Sequence, residues 1–298
     1  MENIQLNTEV KLSRIVQGLW RLTKWNWSKD QLIEFIESCI ALGVTSFDTA
    51  EIYGNYGAEE AFGVALKARP DLRSKIQIIT KTGINMKSSL RPYTMGHYET
   101  RYEKIMASCK ASIEKMGCGY IDVYLIHRED PLINHEEVMK ALNDLKIQGL
   151  IKAYGVSNFD PFKFDALYTL SNEALVTNQI ELNPVCFEHF TNGNMDYLQK
   201  VRVHPMFWSP LAGGQLFSSS EEKYVKVRKV IETIAQRHGT HADTVVYAWL
   251  LMHPVKGLPI SGSSQIERLQ HAVDACDLKL SHEEWYEIYT ASGTQILR

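Results

Sequence analysis

The feature that most constrains this chain is its rhythm. Short apolar, β-rich runs alternate with amphipathic helical runs along its whole length. A parallel strand covered on both faces reads as a nearly unbroken apolar run, and reaching the next parallel strand takes a crossover, usually a helix. Such runs fall at 15–18, 44–47, 76–81, 121–127, 151–156, 176–180, within 204–211, and at 257–260. Helix signals lie between them. Ser28-Lys29-Asp30-Gln31 reads as a capping box, followed by Leu32, Ile33, Ile36, Cys39 and Ile40 on one face and a stop at Gly43. Further helices are expected near 58–68, 102–116, 134–149, 194–201, 223–237 and 242–252, and from a capping box at Ser264 to Glu267 through Ala275. A last helix opens at the capping box Ser281 to Glu284.

Eight strand–helix units, with an N-terminal hairpin over 4–12 and extra helices near the C-terminus, predict an α/β fold of the (β/α)8 barrel type. An open doubly wound sheet would carry a Gly-x-Gly-x-x-Gly turn after its first strand, and Gly18-Leu19-Trp20-Arg21-Leu22-Thr23 has none. No Pro/Ser-rich linker divides the chain, so one domain over 1–298 is expected. The polar segment 82–98 is long for a loop in a compact domain and is expected to act as a substrate-side lid.

Polar groups at the ends of buried strands need a purpose, and this chain has several. Phe47-Asp48-Thr49-Ala50-Glu51-Ile52-Tyr53-Gly54 places a carboxylate and a phenol five residues apart where one strand ends. Lys81 closes the 76–81 run and His127 closes the 121–127 run. The C-terminal ends of barrel strands build the active site in this architecture, and all four groups fall there. A free phenol titrates near ~10, so it is a reluctant acid until a neighbouring ammonium stabilises its phenolate. Asp48 would fix Lys81, Lys81 would lower the Tyr53 pKa, and His127 would donate to a carbonyl oxygen. Any one of these residues alone has an ordinary explanation as a cap, a surface aromatic or a solvated charge. Their conjunction on one barrel face points to polarising and protonating a carbonyl. No His-x-x-x-His pair, Cys cluster or Gly-x-Ser-x-Gly elbow supplies a metal or a nucleophile, which leaves hydride from a bound cofactor.

Hydrophobic residues at 45%, charged residues at 22% and a net charge of −3 suit a globular enzyme and give no reason to expect nucleic acid or an acidic membrane as partner. The five cysteines are scattered and never spaced as Cys-x-x-Cys, so reduced thiols are expected. The N-terminus has no basic segment followed by an apolar one, and no window approaches the ~18 apolar residues of a membrane span. A cytoplasmic location is expected.

Taken in order, the chain resembles the aldo-keto reductase family. The resemblance rests on Phe47-Asp48-Thr49-Ala50 with Tyr53-Gly54, Lys81, Asp122 to His127, Gly155-Val156-Ser157-Asn158-Phe159, Gln179 with Asn183-Pro184, Trp208-Ser209-Pro210-Leu211, and Pro259 to Ser263. It implies a (β/α)8 barrel that binds NADP(H) without a Rossmann turn and transfers hydride to or from a small-molecule carbonyl or alcohol. By that resemblance Tyr53 is the acid/base, Asp48 and Lys81 tune it, and His127 orients the substrate. Ser157, Asn158 and Gln179 would hold the carboxamide, and Trp208 would stack on the nicotinamide. Ser209, Leu211 and Gly213 would border the pyrophosphate, while Ser263, Ser264 and Arg268 would take the 2′-phosphate. The chain departs from the pattern of mammalian members at Gly262, where they have a lysine, and at His271-Ala272, where they have an acidic residue and asparagine; after His127 it reads Arg128-Glu129-Asp130-Pro131, where many relatives have an aromatic residue. It looks closer to a bacterial subgroup. The resemblance also admits a second class, a cofactor-binding redox-sensing subunit similar to the potassium-channel β-subunits. A long N-terminal extension or docking surface would mark that class, and the barrel is expected to begin almost at once here.

Overall fold

A computed structural model of the chain describes residues 1–293; residues 294–298 of the domain expected over 1–298 lie outside them. Eight parallel strands close a barrel: Val16–Gly18, Ser46–Asp48, Gln77–Thr82, Ile121–Ile126, Ile151–Ser157, Leu175–Glu181, Met206–Trp208 and Leu258–Ser261. Each pairs with the next in chain order, and the last returns to the first through Ile260 and Val16. The fold is therefore the (β/α)8 barrel that the alternation predicts.

Strand periodicity divides the core in two. Inward residues such as Val16, Ile79, Val123, Leu125, Val176, Met206 and Leu258 fill the barrel. The hairpin Asn3–Gln5 with Lys11–Ser13 adds Ile4 and Leu12 to the same cluster, so it plugs one end of the barrel. Outward residues pack under the helices, as where Phe47 stacks on Phe62 with centroids 5.6 Å apart. With one end plugged, polar groups on the inward register gather at the other.

The helices follow local rules closely. Both bonds of the Ser28 capping box are present, and Ala58–Ala68 and Tyr102–Met116 lie where the pattern places them. One helix, Pro161–Leu170, has no counterpart in the periodic signal. It buries Phe164, Leu167 and Tyr168 yet leaves Phe162 86% exposed, so its apolar residues do not segregate. Its start is nonetheless written in the sequence, because Asp160 accepts from the Phe162 and Lys163 N–H groups and Pro161 occupies the first turn.

Two expectations are corrected. The helix near the C-terminal strand runs Ile266–Asp274 from a Gln265 cap, with no capping box at Ser264. The Ser263 hydroxyl takes the Gln265 N–H at 3.0 Å, and this local turn displaces the helix start by one residue. The 82–98 segment is not a plain loop either. Its base is the antiparallel ribbon Ile84–Asn85 with His97–Tyr98, and Met86 N–H donates to the Tyr56 hydroxyl at 2.7 Å.

Gly63 shows packing overruling propensity. It sits inside Ala58–Ala68, where alanine would ordinarily gain ~1 kcal/mol, but a Cβ there would lie 2.2 Å from the backbone carbonyl oxygen of Lys115 on the facing helix. Backbone cannot yield as a flexible side chain does, and overpacking costs about 1–3 kcal/mol. Gly63→Ala is therefore expected to lower the thermal midpoint despite its better helix propensity. A raised midpoint would show that the two helices separate freely.

Candidate active site

The inward register carries Ser46 and then Asp48 to the mouth on one strand, and Ile79 and then Lys81 on its neighbour. Lys81 is fully buried, with 0% exposure, and its ammonium donates to Asp48 Oδ1 at 2.6 Å, the Thr49 carbonyl at 2.8 Å and the Tyr53 hydroxyl at 3.2 Å. An ammonium has three protons, and all three are engaged. Burial would strip a proton from this lysine, but the Asp48 carboxylate and the hydrogen bonds to Asp48 and Tyr53 outweigh it and raise its pKa from the ordinary 10.5.

A sharp turn returns the phenol over that ammonium. Tyr53 N–H donates to the Ala50 carbonyl at 3.0 Å, and the following residues, Gly54 and Asn55, are left-handed with φ of 58° and 55°. Gly54 is needed twice over, since its positive φ disfavours a side chain and a Cβ would lie 2.4 Å from Thr23 Cγ2. The Phe47-to-Gly54 spacing is thus the length of a strand end plus this turn.

The Tyr53 pKa departs from expectation. Burial pushes the phenol above 10.0, and the Lys81 charge opposes this without overcoming it, while Asp48 adds to the rise. The phenol is therefore a protonated group whose conjugate base has an ammonium waiting beside it. His127 sits edge-on to the Tyr53 ring, with centroids 5.7 Å apart, and its Nδ1 is buried without a hydrogen-bond partner among the described residues. Burial, then the charges of Lys81 and Arg128, hold this imidazole well below 6.5, so it is neutral at physiological pH.

A cleft of ≈ 400 Å³ opens over these groups. Asp48, Tyr53 and His127 line it, with Lys81 beneath. Ser157, Asn158, Gln179, Trp208, Ser209, Leu211, Gly213, Ser263 and Arg268 line it too, whereas Ser264 does not. The side chains expected to hold a carboxamide are tied to the protein. Gln179 Nε2 donates to Asp48 Oδ2 at 2.7 Å, the Ser157 hydroxyl donates to the Gln179 carbonyl at 2.9 Å, and Asn158 donates to the Ser157 hydroxyl at 2.7 Å. Trp208 Nε1 in turn donates to Asn158 Oδ1 at 2.9 Å. One chain of hydrogen bonds thus runs from Asp48 to the indole, and the donor groups of Gln179, Ser157 and Asn158 are committed within the protein.

Sequence reasoning missed Arg21, Arg128, Asp243 and Tyr247, which also line the cleft. Asp243 and Tyr247 share a face one helical turn apart, but nothing in the sequence sets that face apart from core. Three tryptophans close together in the sequence take different places. Trp20 lines the cleft and is 57% exposed, while Trp25 and Trp27 pack on Phe35 at 5.6 and 5.0 Å.

The fold and its relatives make the chain an oxidoreductase acting on carbonyl groups. It belongs to the aldo/keto reductase family, whose model matches residues 14–292. It is 43% identical to a 6-dehydroglucose reductase of Agrobacterium fabrum over 99% of this chain and 100% of that protein. It is 42% identical to the uncharacterized oxidoreductase YcsN of Bacillus subtilis, over 98% of each. The crystal structure of the thermostable aldo-keto reductase Tm1743, in complex with the inhibitor epalrestat, matches with a TM-score of 0.81 at 26% identity, over 98% of this chain and 100% of that one.

The opposed effects on Tyr53 give a measurable sign. In the protein without cofactor, the ultraviolet difference titration of wild type against Tyr53→Phe should place the phenol above pH 10.0, because burial prevails. Lys81→Met removes the opposing charge and should move it higher still. A wild-type value below 10.0 would mean that the ammonium outweighs burial.

Proposed function

We propose that this chain is an NADPH-dependent carbonyl reductase in which Tyr53 delivers the proton that completes reduction of an aldehyde or ketone. The observation that carries the reading is the ammonium of Lys81, 2.6 Å from Asp48 and 3.2 Å from the Tyr53 hydroxyl. As charge builds on the carbonyl oxygen, the phenol gives up its proton and the ammonium stabilises the phenolate that remains. The neutral imidazole of His127, beside the phenol, donates to the same oxygen and fixes its direction. Its Nδ1 has no hydrogen-bond partner among the described residues, and burial and the neighbouring cations set its protonation state.

The cleft suits an extended dinucleotide by the chemistry of its lining. Trp208 presents an indole near the phenol end, and the left-handed Gly213 and Gly214 leave the backbone open beside Leu211. Ser263, just past the Leu258–Ser261 strand, and the exposed Arg268, in the first turn of the Ile266–Asp274 helix, both line the cleft and would take a 2′-phosphate. The dinucleotide supplies the hydride when bound; the chain binds, orients and handles the proton. In the reverse direction the phenolate receives the proton of an alcohol.

Tyr53→Phe should keep the fold and NADPH affinity while reducing turnover of a good aldehyde about 10²- to 10⁴-fold, the ordinary contribution of a positioned acid. Near-normal turnover would remove Tyr53 from this role. Arg268→Ala should weaken NADPH binding about ten- to a hundredfold and leave NADH nearly unchanged, read by tryptophan fluorescence. Equal losses for both cofactors would make Arg268 structural, and tighter wild-type binding of NADH would sink the NADPH assignment.

A further inference from the structure

Arg128 is a half-buried cation at the reacting end of the cleft, and no carboxylate among the described residues forms an ion pair with it. It follows His127 directly at the end of the Ile121–Ile126 strand and lines the cleft. Its guanidinium lies 5.9 Å from the Trp208 ring centroid, and among the described residues it makes no hydrogen bond or ion pair. Tyr53 and His127 line the same cleft, and the Arg128 charge acts on both.

The carboxylates around it hydrogen-bond to other groups. Asp48 is held by Lys81 and Gln179. Glu129 accepts from the Asp160 N–H and from Lys163, and Asp130 accepts from Thr100 and the Leu132 N–H. Glu181 feels the arginine's charge but takes its hydrogen bond from Asn183 at 3.3 Å. Asp243, in the same cleft, is paired with His271 at 3.0 Å. The other arginines of the cleft have separate stations: Arg21 donates to the Gly213 carbonyl at 2.9 Å, and Arg268 stands beyond Ser263.

A half-buried guanidinium with only an indole face beside it has hydrogen-bond donors to spare, and its planar fork matches carboxylate or phosphate oxygens two at a time. We propose that Arg128 is a specificity-determining residue that receives an anionic group, a carboxylate or phosphate, carried by the carbonyl substrate a few bonds from the reacting carbon. The proposal rests on the reductase reading above. An uncharged hydroxylated aldehyde would reach the same phenol but leave the guanidinium without its counter-ion.

The test compares kcat/KM with NADPH for two matched pairs: succinate semialdehyde against butanal, and glyceraldehyde 3-phosphate against glyceraldehyde. Wild type should favour the anionic member of at least one pair by roughly ten- to a hundredfold, and the pair that responds identifies the anion. Arg128→Met should collapse that ratio towards one, chiefly through KM, and Arg128→Lys should retain part of it. NADPH affinity, read by tryptophan fluorescence, should be the same in wild type and both variants. Equal turnover of charged and neutral partners by wild type, or a ratio that survives in Arg128→Met, overturns the proposal and leaves the reductase reading intact. Loss of NADPH affinity in Arg128→Met would assign the guanidinium to the cofactor and overturn it too. Failure of all four compounds to oxidise NADPH would overturn both readings.

Discussion

The structure depends most on one ammonium ion taken out of water. Lys81 is enclosed on every side, and only the oxygens of Asp48, Thr49 and Tyr53 make that tolerable. Each of the three is held by something further out. Gln179 fixes the second carboxylate oxygen of Asp48, Thr49 N–H donates to the Ile79 carbonyl at 2.8 Å, and the Gly54 turn returns the phenol. Removing one partner of such a buried pair typically costs 3–5 kcal/mol, because the other charge is left stranded. Neighbouring strand ends are therefore constrained together, which explains polar residues in strands that otherwise read as core.

The barrel makes the arrangement possible by sorting one strand's residues onto two faces. Along Gln77–Thr82, Lys81 points to the mouth, while Thr80 and Thr82 turn outward and donate to Glu59 at 2.7 Å and Glu51 at 3.0 Å. Lys104 balances Glu51 at 3.0 Å and Lys115 lies 3.7 Å from Glu59. The strand is thus anchored by charge on both faces, and the site inherits that rigidity. Precise placement of the ammonium matters because burial and the Lys81 charge pull the phenol in opposite directions. With burial prevailing, the Tyr53 phenol holds its proton, which would suit the proposed acid in the reducing direction.

Much of this was legible in the sequence because local rules and the global fold agree. Runs with clean strand or helix periodicity, such as Ala58–Ala68 and Tyr102–Met116, lie where the pattern puts them. Asp48, Tyr53, Lys81 and His127 were legible as polar interruptions of apolar strand ends. The misses have physical reasons. Pro161–Leu170 exposes Phe162, which blurs its face, although Asp160-Pro161 is a start signal. Ser264 has the spacing of a cap, but the Ser263 hydroxyl holds the Gln265 N–H in a local turn and the helix starts from Gln265 instead. The direction of the Tyr53 shift needs burial and charge weighed together, and Arg128 stands out only once the carboxylates around it are seen to be taken.

The central claim is that Lys81 acts on the reaction through the Tyr53 phenol. A double-mutant cycle on kcat/KM tests it most directly, using Tyr53→Phe, Lys81→Met and the double variant, each checked for an intact thermal transition. If the ammonium works through the phenol, removing it from an enzyme that already lacks the hydroxyl should cost almost nothing more. The double variant should then match Tyr53→Phe. Losses that multiply, so that the double variant falls by the product of the two single effects, would show that Lys81 and Tyr53 act independently and would contradict the account.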